Sequence, residues 1–242
     1  MRILLIETAT QICSAVLAED GQVLDRRESD APNAHSTQLP LFVKELISFN
    51  GSSQGTQTSP SAQKGIDAVC VSSGPGSYTG LRIGVSTAKG LCYALGLPLL
   101  AVPTLQGMAA LYYRQHPDYQ GIVCPMIDAR RMECYTMIVR NSESGVLSLR
   151  DTQADVITEH IYDEWLDKGE VTFIGDGAAK TRELLGGHPN ARYDERFRIS
   201  AEGMLALAED KLRRGEKEDV AYFEPFYLKD FVAKKSVVHG LR

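Results

Sequence analysis

The sequence predicts an α/β protein built from two lobes that repeat the order β-β-β-α-β-α. Two sets of three short apolar segments, each joined by tight turns, carry this prediction. They lie at residues 2–8, 12–19 and 22–28 in the first half and at 121–127, 133–140 and 145–150 in the second. A helix, a strand and a second helix are predicted to follow each set. This duplicated order is the plan of the actin-like fold.

The remaining elements complete the two lobes. We expect an N-terminal lobe at residues 1–102 and a second lobe at 103–242, with a final helix and tail that pack back on the first lobe. The polar segment 51–65 contains little that can be buried and is interpreted as a flexible surface loop. Predicted helices lie at 35–50, 78–96, 155–168, 178–186 and 201–214, and predicted strands at 67–71 and 171–174.

Composition and charge argue against several classes of function. The chain of 242 residues is 43% hydrophobic and 24% charged, which is typical of a globular protein. Its net charge of −5 argues against a broad basic surface that grips nucleic acid. The five cysteines have no C-x-x-C spacing, so they are interpreted as reduced core residues of a cytoplasmic protein. No apolar run approaches the roughly 20 residues that a membrane span needs, so no membrane association is expected.

The stretch from Ser73 to Gly84 is the most informative motif. Gly-Pro-Gly ends a predicted strand, and Ser77 is predicted to cap the helix that follows. This helix carries Gly80, Gly84 and Ala88 at intervals of four, which places them in one stripe without large side chains. Each glycine inside a helix costs about 1 kcal/mol relative to alanine. The stripe therefore predicts that another helix, a sheet or a phosphate approaches this backbone closely.

The predicted helix at 35–50 has an apolar stripe of its own. Leu39, Phe42 and Leu46 recur at helical spacing and form one face. That face either covers the sheet of the same lobe or contacts a partner in part, and the spacing alone does not distinguish these two roles.

The sequence offers little support for catalysis. No two of the five histidines are spaced to place both imidazoles on one helical face, so no metal site is predicted. In an actin-like ATPase, a carboxylate and a small hydroxyl-rich turn after the first strand hold phosphate and magnesium. Here Glu7 replaces the shorter Asp and Ala9 replaces Gly, so efficient ATP hydrolysis is not expected. A residual nucleotide or anion site remains open, formed by Thr8, Thr10, Gly76, Ser77, Asp128, Gly175, Asp176 and Gly177.

Several motifs resemble the TsaB (YeaZ) family, in the same order along nearly the whole chain. They are ILLIETAT at 3–10, His35-Ser36, GPGSYTGLRIG at 74–84, AKGL at 88–91, DARRME at 128–133, GDG at 175–177 and PFYL at 225–228. The chain departs from the family pattern at Glu7, where Asp is usual, at Pro40, and in the longer segment 51–65.

This resemblance implies the ASKHA, ribonuclease-H-like version of the actin-like fold in a bacterial cytoplasmic protein. It also implies a non-catalytic, activating scaffold subunit that pairs with TsaD, a transferase of similar fold, and with the ATPase TsaE, and that forms a homodimer in isolation. TsaD transfers threonylcarbamoyl from its adenylate to the adenosine that follows the anticodon, in tRNAs that read codons beginning with A.

The resemblance assigns no catalytic residue to this chain. The segment Val102–Met108 lacks the two metal-binding histidines that TsaD carries at the matching place. The resemblance therefore implies no metal and no cofactor that this chain itself requires. It leaves open a nucleotide at the subunit interface, and it implies contact with tRNA mainly through the complex.

The resemblance places a partner surface on the N-terminal lobe, where the first two helices of the family form a helical bundle with TsaD or with a second copy. The residues so implied are His35, Leu39, Phe42, Leu46, Tyr78, Gly80, Leu81, Arg82, Gly84, Val85 and Ala88. The residues leave two alternatives. An actin-like small-molecule kinase is disfavoured by Glu7 and Ala9, and a glycoprotease-like metallopeptidase is disfavoured by the missing metal ligands.

Overall fold

A computed structural model describes residues 1–49, 65–142 and 145–229 of the chain. Nearly all of the predicted loop at 51–65, and the predicted tail from residue 230, lie outside the described residues. The strands are β1 (Arg2–Glu7), β2 (Cys13–Glu19), β3 (Gln22–Ser29), β4 (Ala68–Ser72), β5 (Leu99–Val102), β6 (Ile122–Asp128), β7 (Glu133–Ser142), β8 (Gly145–Val156), β9 (Val171–Ile174) and β10 (Ala191–Asp194). The helices are α1 (Ala34–Thr37), α2 (Leu39–Ile47), α3 (Tyr78–Leu95), α4 (Thr104–Gln115), α5 (Asp163–Leu166), α6 (Arg182–Leu185) and α7 (Leu205–Arg213).

Two five-stranded sheets with the same strand order form the two lobes. The first runs β3-β2-β1-β4-β5, and the second, followed from its opposite edge, runs β8-β7-β6-β9-β10. In both sheets the first three strands pair antiparallel, and the last two join in parallel. This repeat confirms the prediction of a duplicated, actin-like α/β fold of the ASKHA, ribonuclease-H-like type.

The sheet of the first lobe is covered on both faces. Successive side chains of a strand point to opposite faces. Accordingly, Leu4 and Ile6 of β1 pack in one apolar cluster with residues of α2 and α3. Ile3 and Leu5 pack in a second cluster with residues of α7. Helix α7 thus follows the second sheet in sequence but completes the core of the first lobe.

The second lobe is built in the same way. Helix α4 covers one face of its sheet, and a cluster around Tyr162 and Phe173 fills the other. All five cysteines of the chain are free and buried, as the sequence predicts for core residues. Burial raises the pKa of Cys13 to about 11, which leaves its thiol protonated and unreactive near neutral pH.

The predicted helix at 155–168 is wrong. Strand β8 continues through Val156, and only the single turn of α5 is helical in this stretch. Asp155 explains the difference, because its buried carboxylate accepts hydrogen bonds from Thr136, Arg150 and Tyr162. A strand places Asp155 opposite Cys134 in the ladder, next to these donors, and this tertiary network outweighs the local helical pattern.

Other helix predictions are correct in place but not in extent. The segment 35–50 divides into α1 and α2, because Pro40 lies in the first turn of α2 and begins a new helix there. The segment 178–186 contains a 3₁₀ turn, Ala179–Thr181, followed by the short helix α6. The sequence pattern predicts neither the strands β5 and β10 nor the helix α4. Two of these are strands of four residues, and α4 is buried on most of its sides, which weakens its helical periodicity.

Candidate functional site

The glycine-rich loop and α3 pack directly on the end of β1. Ser77 caps α3, and its Oγ accepts a hydrogen bond from the Gly80 amide at 3.3 Å. A Cβ atom on Gly80 would lie 2.1 Å from the carbonyl oxygen of Thr8, and one on Gly84 would lie 2.2 Å from the Thr8 Oγ1. Both distances are far inside van der Waals contact. The segment that approaches the stripe closely is therefore the turn after β1 of the same chain.

This geometry corrects the predicted partner surface. Gly80, Gly84 and Ala88 are buried in their own lobe, so they do not set the spacing to a second protein. A further set of predicted partner residues is also buried inside the lobe. They are Leu39, Leu46, Leu81 and Val85. A helical stripe shows which residues share a face, but not whether that face turns inward.

Of the four remaining predicted partner residues, only Arg82 is exposed, and His35, Phe42 and Tyr78 are partly buried. The four divide between two places. His35 and Tyr78 line the cleft between the lobes. Phe42 is half-buried against the core of the first lobe, and Arg82 is exposed on α3, where it donates a hydrogen bond to the Tyr78 hydroxyl at 3.1 Å. Burial lowers the pKa of the His35 imidazole, although nearby backbone carbonyls of Ile12 and Thr10 oppose this effect.

A shallow apolar groove of about 530 Å³ runs between α2 and α3 on the surface of the first lobe. It is lined by Pro40, Val43, Lys44, Ile47, Ser48, Ser86, Thr87, Gly90 and Leu91. None of these residues is in the predicted partner set. Large apolar side chains are exposed on the same two helices, with Leu41 57% and Tyr93 87% exposed. A useful signal in the sequence is the set Ser86, Gly90 and Tyr93, which recurs at helical spacing on the side of α3 opposite to the buried stripe.

A cleft of about 800 Å³ separates the two lobes and brings together part of the predicted nucleotide or anion site. Thr10, Gly76, Ser77, Asp128 and Asp176 line it. Gly175 instead lines an adjoining cavity of about 590 Å³, which Thr10 and Asp176 share. Thr8 and Gly177 line neither cavity. The fully buried Thr8 hydroxyl has no hydrogen-bond partner among the described residues, because it faces the stripe of α3.

The carboxylate on the second lobe's side of the cleft is held by a lysine of the same chain. The Lys180 ammonium donates to the Asp128 carboxylate and to the carbonyl oxygens of Arg131 and Glu133, the latter two at 2.8 and 2.6 Å. Partial burial is the largest single effect and opposes ionisation of Asp128, but the hydrogen bonds from Lys180 and the Arg130 amide, together with the charges of these two residues, outweigh it and lower the pKa of this carboxyl. Lys180 thus places a positive charge where this turn concentrates its oxygen atoms.

The carboxylate on the first lobe's side is turned inward. Glu7 is buried, and its Oε1 accepts hydrogen bonds from the Ala9 amide at 2.6 Å and the Ser72 hydroxyl at 2.9 Å. Burial raises its pKa from the usual 4.5 to about 7, although these hydrogen bonds partly oppose the change. The Ala9 carbonyl in turn accepts the Ser77 amide at 2.6 Å. The turn after β1, which in an actin-like ATPase holds phosphate, is therefore hydrogen-bonded here to the glycine-rich loop of the same lobe.

Two lobes of one strand order, with a cleft between them, define an actin-like α/β protein. In this one, the Asp128 carboxylate that lines the cleft is bonded to Lys180, and the Glu7 carboxylate is turned away from the cleft. Within the described ranges, no three His, Cys, Asp or Glu side chains are grouped so as to hold a metal ion. None of the helices in these ranges combines the length and the apolar character needed to cross a bilayer.

Comparison with known proteins identifies the family. A family model described as "TsaD: tRNA N6-adenosine threonylcarbamoyltransferase" matches residues 29–237. The tRNA threonylcarbamoyladenosine biosynthesis protein TsaB of Escherichia coli (strain K12) is 32% identical over 241 residues, which cover 98% of each chain. The solved structure of YeaZ from Pseudomonas aeruginosa superposes with a TM-score of 0.77 at 27% identity, covering 94% of this chain and 99% of that one. The chain belongs to the TsaB (YeaZ) family, within the wider family that the TsaD model describes.

A part of the chain is also similar to transferases of this wider family. The tRNA N6-adenosine threonylcarbamoyltransferase of Anaeromyxobacter dehalogenans (strain 2CP-C) is 35% identical over 139 residues, which cover 50% of this chain and 40% of that protein.

Proposed function

We propose that this chain takes part in the biosynthesis of threonylcarbamoyladenosine in tRNA as a non-catalytic, activating subunit. Its partner is TsaD, the transferase of related sequence, and TsaE acts with the pair. The observation that carries this proposal is the apolar groove between α2 and α3, together with the exposed apolar side chains beside it. Exposed apolar surface of this kind on a globular protein is typical of a protein–protein contact.

The groove suits a helix of a partner. On α3, Gly90 has no side chain and Ser86 a small one, so a partner helix can approach this side of the groove closely. On α2, Val43 and Ile47 provide apolar contact area. A ridge of side chains from a third helix packs into such a groove between two neighbouring helices. The proposed contact therefore uses the outer sides of α2 and α3, and the buried stripe holds these helices on the sheet.

The cleft supports a role outside the chemical step. Phosphoryl transfer in actin-like enzymes relies on cleft carboxylates that hold magnesium. In this chain Lys180 is bonded to Asp128, and Glu7 is bonded to its own loop. We infer that the chain requires no cofactor of its own.

A nucleotide held between this chain and TsaD is compatible with the proposal, as is a homodimer of the isolated chain through the same groove. The proposal places the chain in the cytoplasm, in contact with tRNA mainly through the complex.

The decisive experiment is threonylcarbamoylation of tRNA by the cognate TsaD and TsaE, given preformed threonylcarbamoyl-adenylate, with and without this chain. We expect modification only when the chain is present. Equal modification without it would contradict the proposal. ATP turnover with a panel of sugars, measured on the same preparation, tests the kinase alternative directly.

A matched pair of glycine substitutions tests the groove. Gly90 lies in the groove, and a Cβ atom there would meet no atom within 4 Å, so Gly90→Arg leaves the fold intact. We expect this variant to bind TsaD at least about tenfold more weakly, because a long charged side chain fills the groove. Gly187→Arg is the control, since Gly187 has the same free space in the second lobe. Equal affinity of both variants would remove the groove from the interface.

A further inference from the structure

A strap, residues 218–229, crosses from the edge of the first sheet to the second lobe. Its inner half, residues 218–223, is bound to the first lobe by hydrogen bonds and apolar packing. The Glu218 amide donates to the Leu99 carbonyl of β5 at 2.8 Å. The Lys89 ammonium of α3 donates to the carbonyl oxygens of Ala221 at 3.1 Å and Phe223 at 2.9 Å. Phe223 is half-buried and packs against the core of this lobe.

The outer half of the strap passes over the mouth of the cleft. The Phe226 amide donates to the Ser73 carbonyl at 2.7 Å. The ring of Tyr227 packs on Tyr78 at the start of α3, with the ring centroids 4.9 Å apart. The Lys229 ammonium forms an ion pair with the Glu133 carboxylate at the start of β7. Residues 226–229 therefore line the cleft and bridge its two sides.

The glycine-rich loop is shaped to receive this segment. Gly74 has φ +108°, a conformation that L residues with side chains rarely adopt. A Cβ atom on Gly74 would also lie 2.5 Å from the Phe226 carbonyl oxygen. The backbone of the strap thus rests on the backbone of the loop, at a place that only glycine leaves free.

The two halves of the strap differ in how strongly they are held. The inner half packs the partly buried Val220 and Phe223 against the core of the first lobe, and two of its carbonyls accept hydrogen bonds from one lysine. Among the described residues, the outer half has one backbone hydrogen bond, one contact between partly exposed rings, and one ion pair, in which the Lys229 side chain is 42% and the Glu133 side chain 19% exposed. Phe226 is 49% and Tyr227 37% exposed, so both residues are only partly covered. Surface ion pairs and exposed ring contacts each contribute only a small stabilisation.

We propose that the outer half of the strap, residues 224–229, is a latch over the cleft between the lobes. The latch is closed in this structure. It opens when Lys229 leaves Glu133 and the ring of Tyr227 lifts from Tyr78, while the inner half stays in place as the hinge. Opening exposes the start of α3 and the loop between β6 and β7, which are the two sides of the 800 Å³ cleft. This proposal concerns the chain alone and does not depend on the proposed partner.

Charge reversal tests the latch. Lys229→Glu and Glu133→Lys each break the ion pair, and the double variant restores it with the charges exchanged. Hydrogen exchange of the Phe226 amide, which the closed latch protects, is the readout. We expect each single variant to speed this exchange by about two- to fivefold, the range that a surface ion pair supports, and the double variant to return it to the parent rate. Lys168→Glu is the control, since Lys168 forms a surface pair with Glu164 elsewhere in the second lobe.

A thiol reporter measures access to the cleft independently. All five native cysteines are buried, so Ala129→Cys, at a half-buried position that lines the cleft, supplies one accessible thiol. We expect a bulky maleimide to label this thiol about two- to fivefold faster when Lys229→Glu is also present. Unchanged exchange and labelling in the single variants would overturn the latch. So would faster exchange that extends equally to the amides of β1, since that pattern reports loss of the whole fold.

Discussion

Glu7 lies at the end of β1, where an actin-like ATPase presents its carboxylate to magnesium, yet it is only 2% exposed. The longer side chain of Glu, compared with Asp, lets it fold back to the Ala9 amide and the Ser72 hydroxyl. The sequence shows the change of residue type, and from it one can infer a weakened phosphate turn. It does not show where the carboxyl group goes, because that depends on Ser72 of a strand far along the chain.

The raised pKa of Glu7 makes a prediction about stability and pH. The unfolded chain ionises this group near 4.5, but the folded chain holds the proton up to about pH 7. Its contribution to the free energy of unfolding is therefore fully present below about 4.5 and is lost as the pH rises through about 7. We expect Glu7→Gln, which stays neutral, to be more stable than the parent at pH 8 by about 1–3 kcal/mol, with little difference at pH 4.5.

Urea unfolding of both proteins at pH 4.5 and pH 8 measures this effect. Glu164→Gln is the control, because Glu164 is exposed and its side chain forms a surface pair with Lys168. A Glu7→Gln variant that changes stability by the same amount at both pH values would show that the buried carboxyl keeps its ordinary pKa.

At the scale of elements, sequence patterns predict a helix, strand or turn correctly where contacts between neighbouring residues determine it. The apolar run of β1, the Ser77 cap and the glycine-rich turn before α3 all lie where the sequence places them. The failures depend on distant contacts. The network around Asp155 converts a predicted helix into strand, and the inward direction of the α3 stripe depends on Thr8, the residue after β1. Hydrophobic spacing gives the period of an element, but its orientation follows from tertiary packing.

Two glycines of α3 are therefore expected to respond in opposite ways to the same substitution. Gly84→Ala places a methyl group 2.2 Å from the Thr8 hydroxyl, so the helix must move from the sheet, and we expect a loss of about 1–3 kcal/mol in the free energy of unfolding. Gly90→Ala meets no atom within 4 Å, so we expect a gain of about 0.5–1 kcal/mol from helix propensity alone.

Urea unfolding of both variants against the parent checks this contrast. Equal changes in the two would contradict the inward direction of the stripe. The same contrast matters for any test of partner binding. From the stripe alone, Gly84→Leu would be chosen to probe the interface. We expect it to destabilise the fold itself, whereas substitutions at Gly90 change only the surface.

At the scale of the whole molecule, the topology was predictable because a duplicated strand order leaves a repeat in the sequence. The individual contacts that hold the strap were not. The return of α7 to the first sheet brings residues 218–229 over α3, and neither Lys89 nor Glu133 shows in the sequence that it holds this strap. These contacts join residues far apart in the chain, and no local pattern encodes them.

This arrangement leads to a last prediction, which rests on both proposals. Helix α3 carries Gly90 in the proposed docking groove and also Tyr78 and Lys89, which hold the strap. A partner that holds α3 in place should therefore stabilise the closed latch, and we expect TsaD binding to slow exchange of the Phe226 amide. Linkage requires the reciprocal effect. Lys229→Glu, which lies outside the groove, should weaken TsaD binding by about two- to fivefold, within the range that the lost ion pair allows.

Titration calorimetry of TsaD with the parent, Lys229→Glu and Lys168→Glu measures the reciprocal effect, and hydrogen exchange of the complex measures the direct one. Slower exchange at Phe226 without weaker binding of Lys229→Glu would show that TsaD covers the strap itself. Neither effect, with binding intact, would show that the latch and the docking surface act independently, although both lie on one helix. Coupling in both directions would mean that assembly of the complex controls access to the cleft.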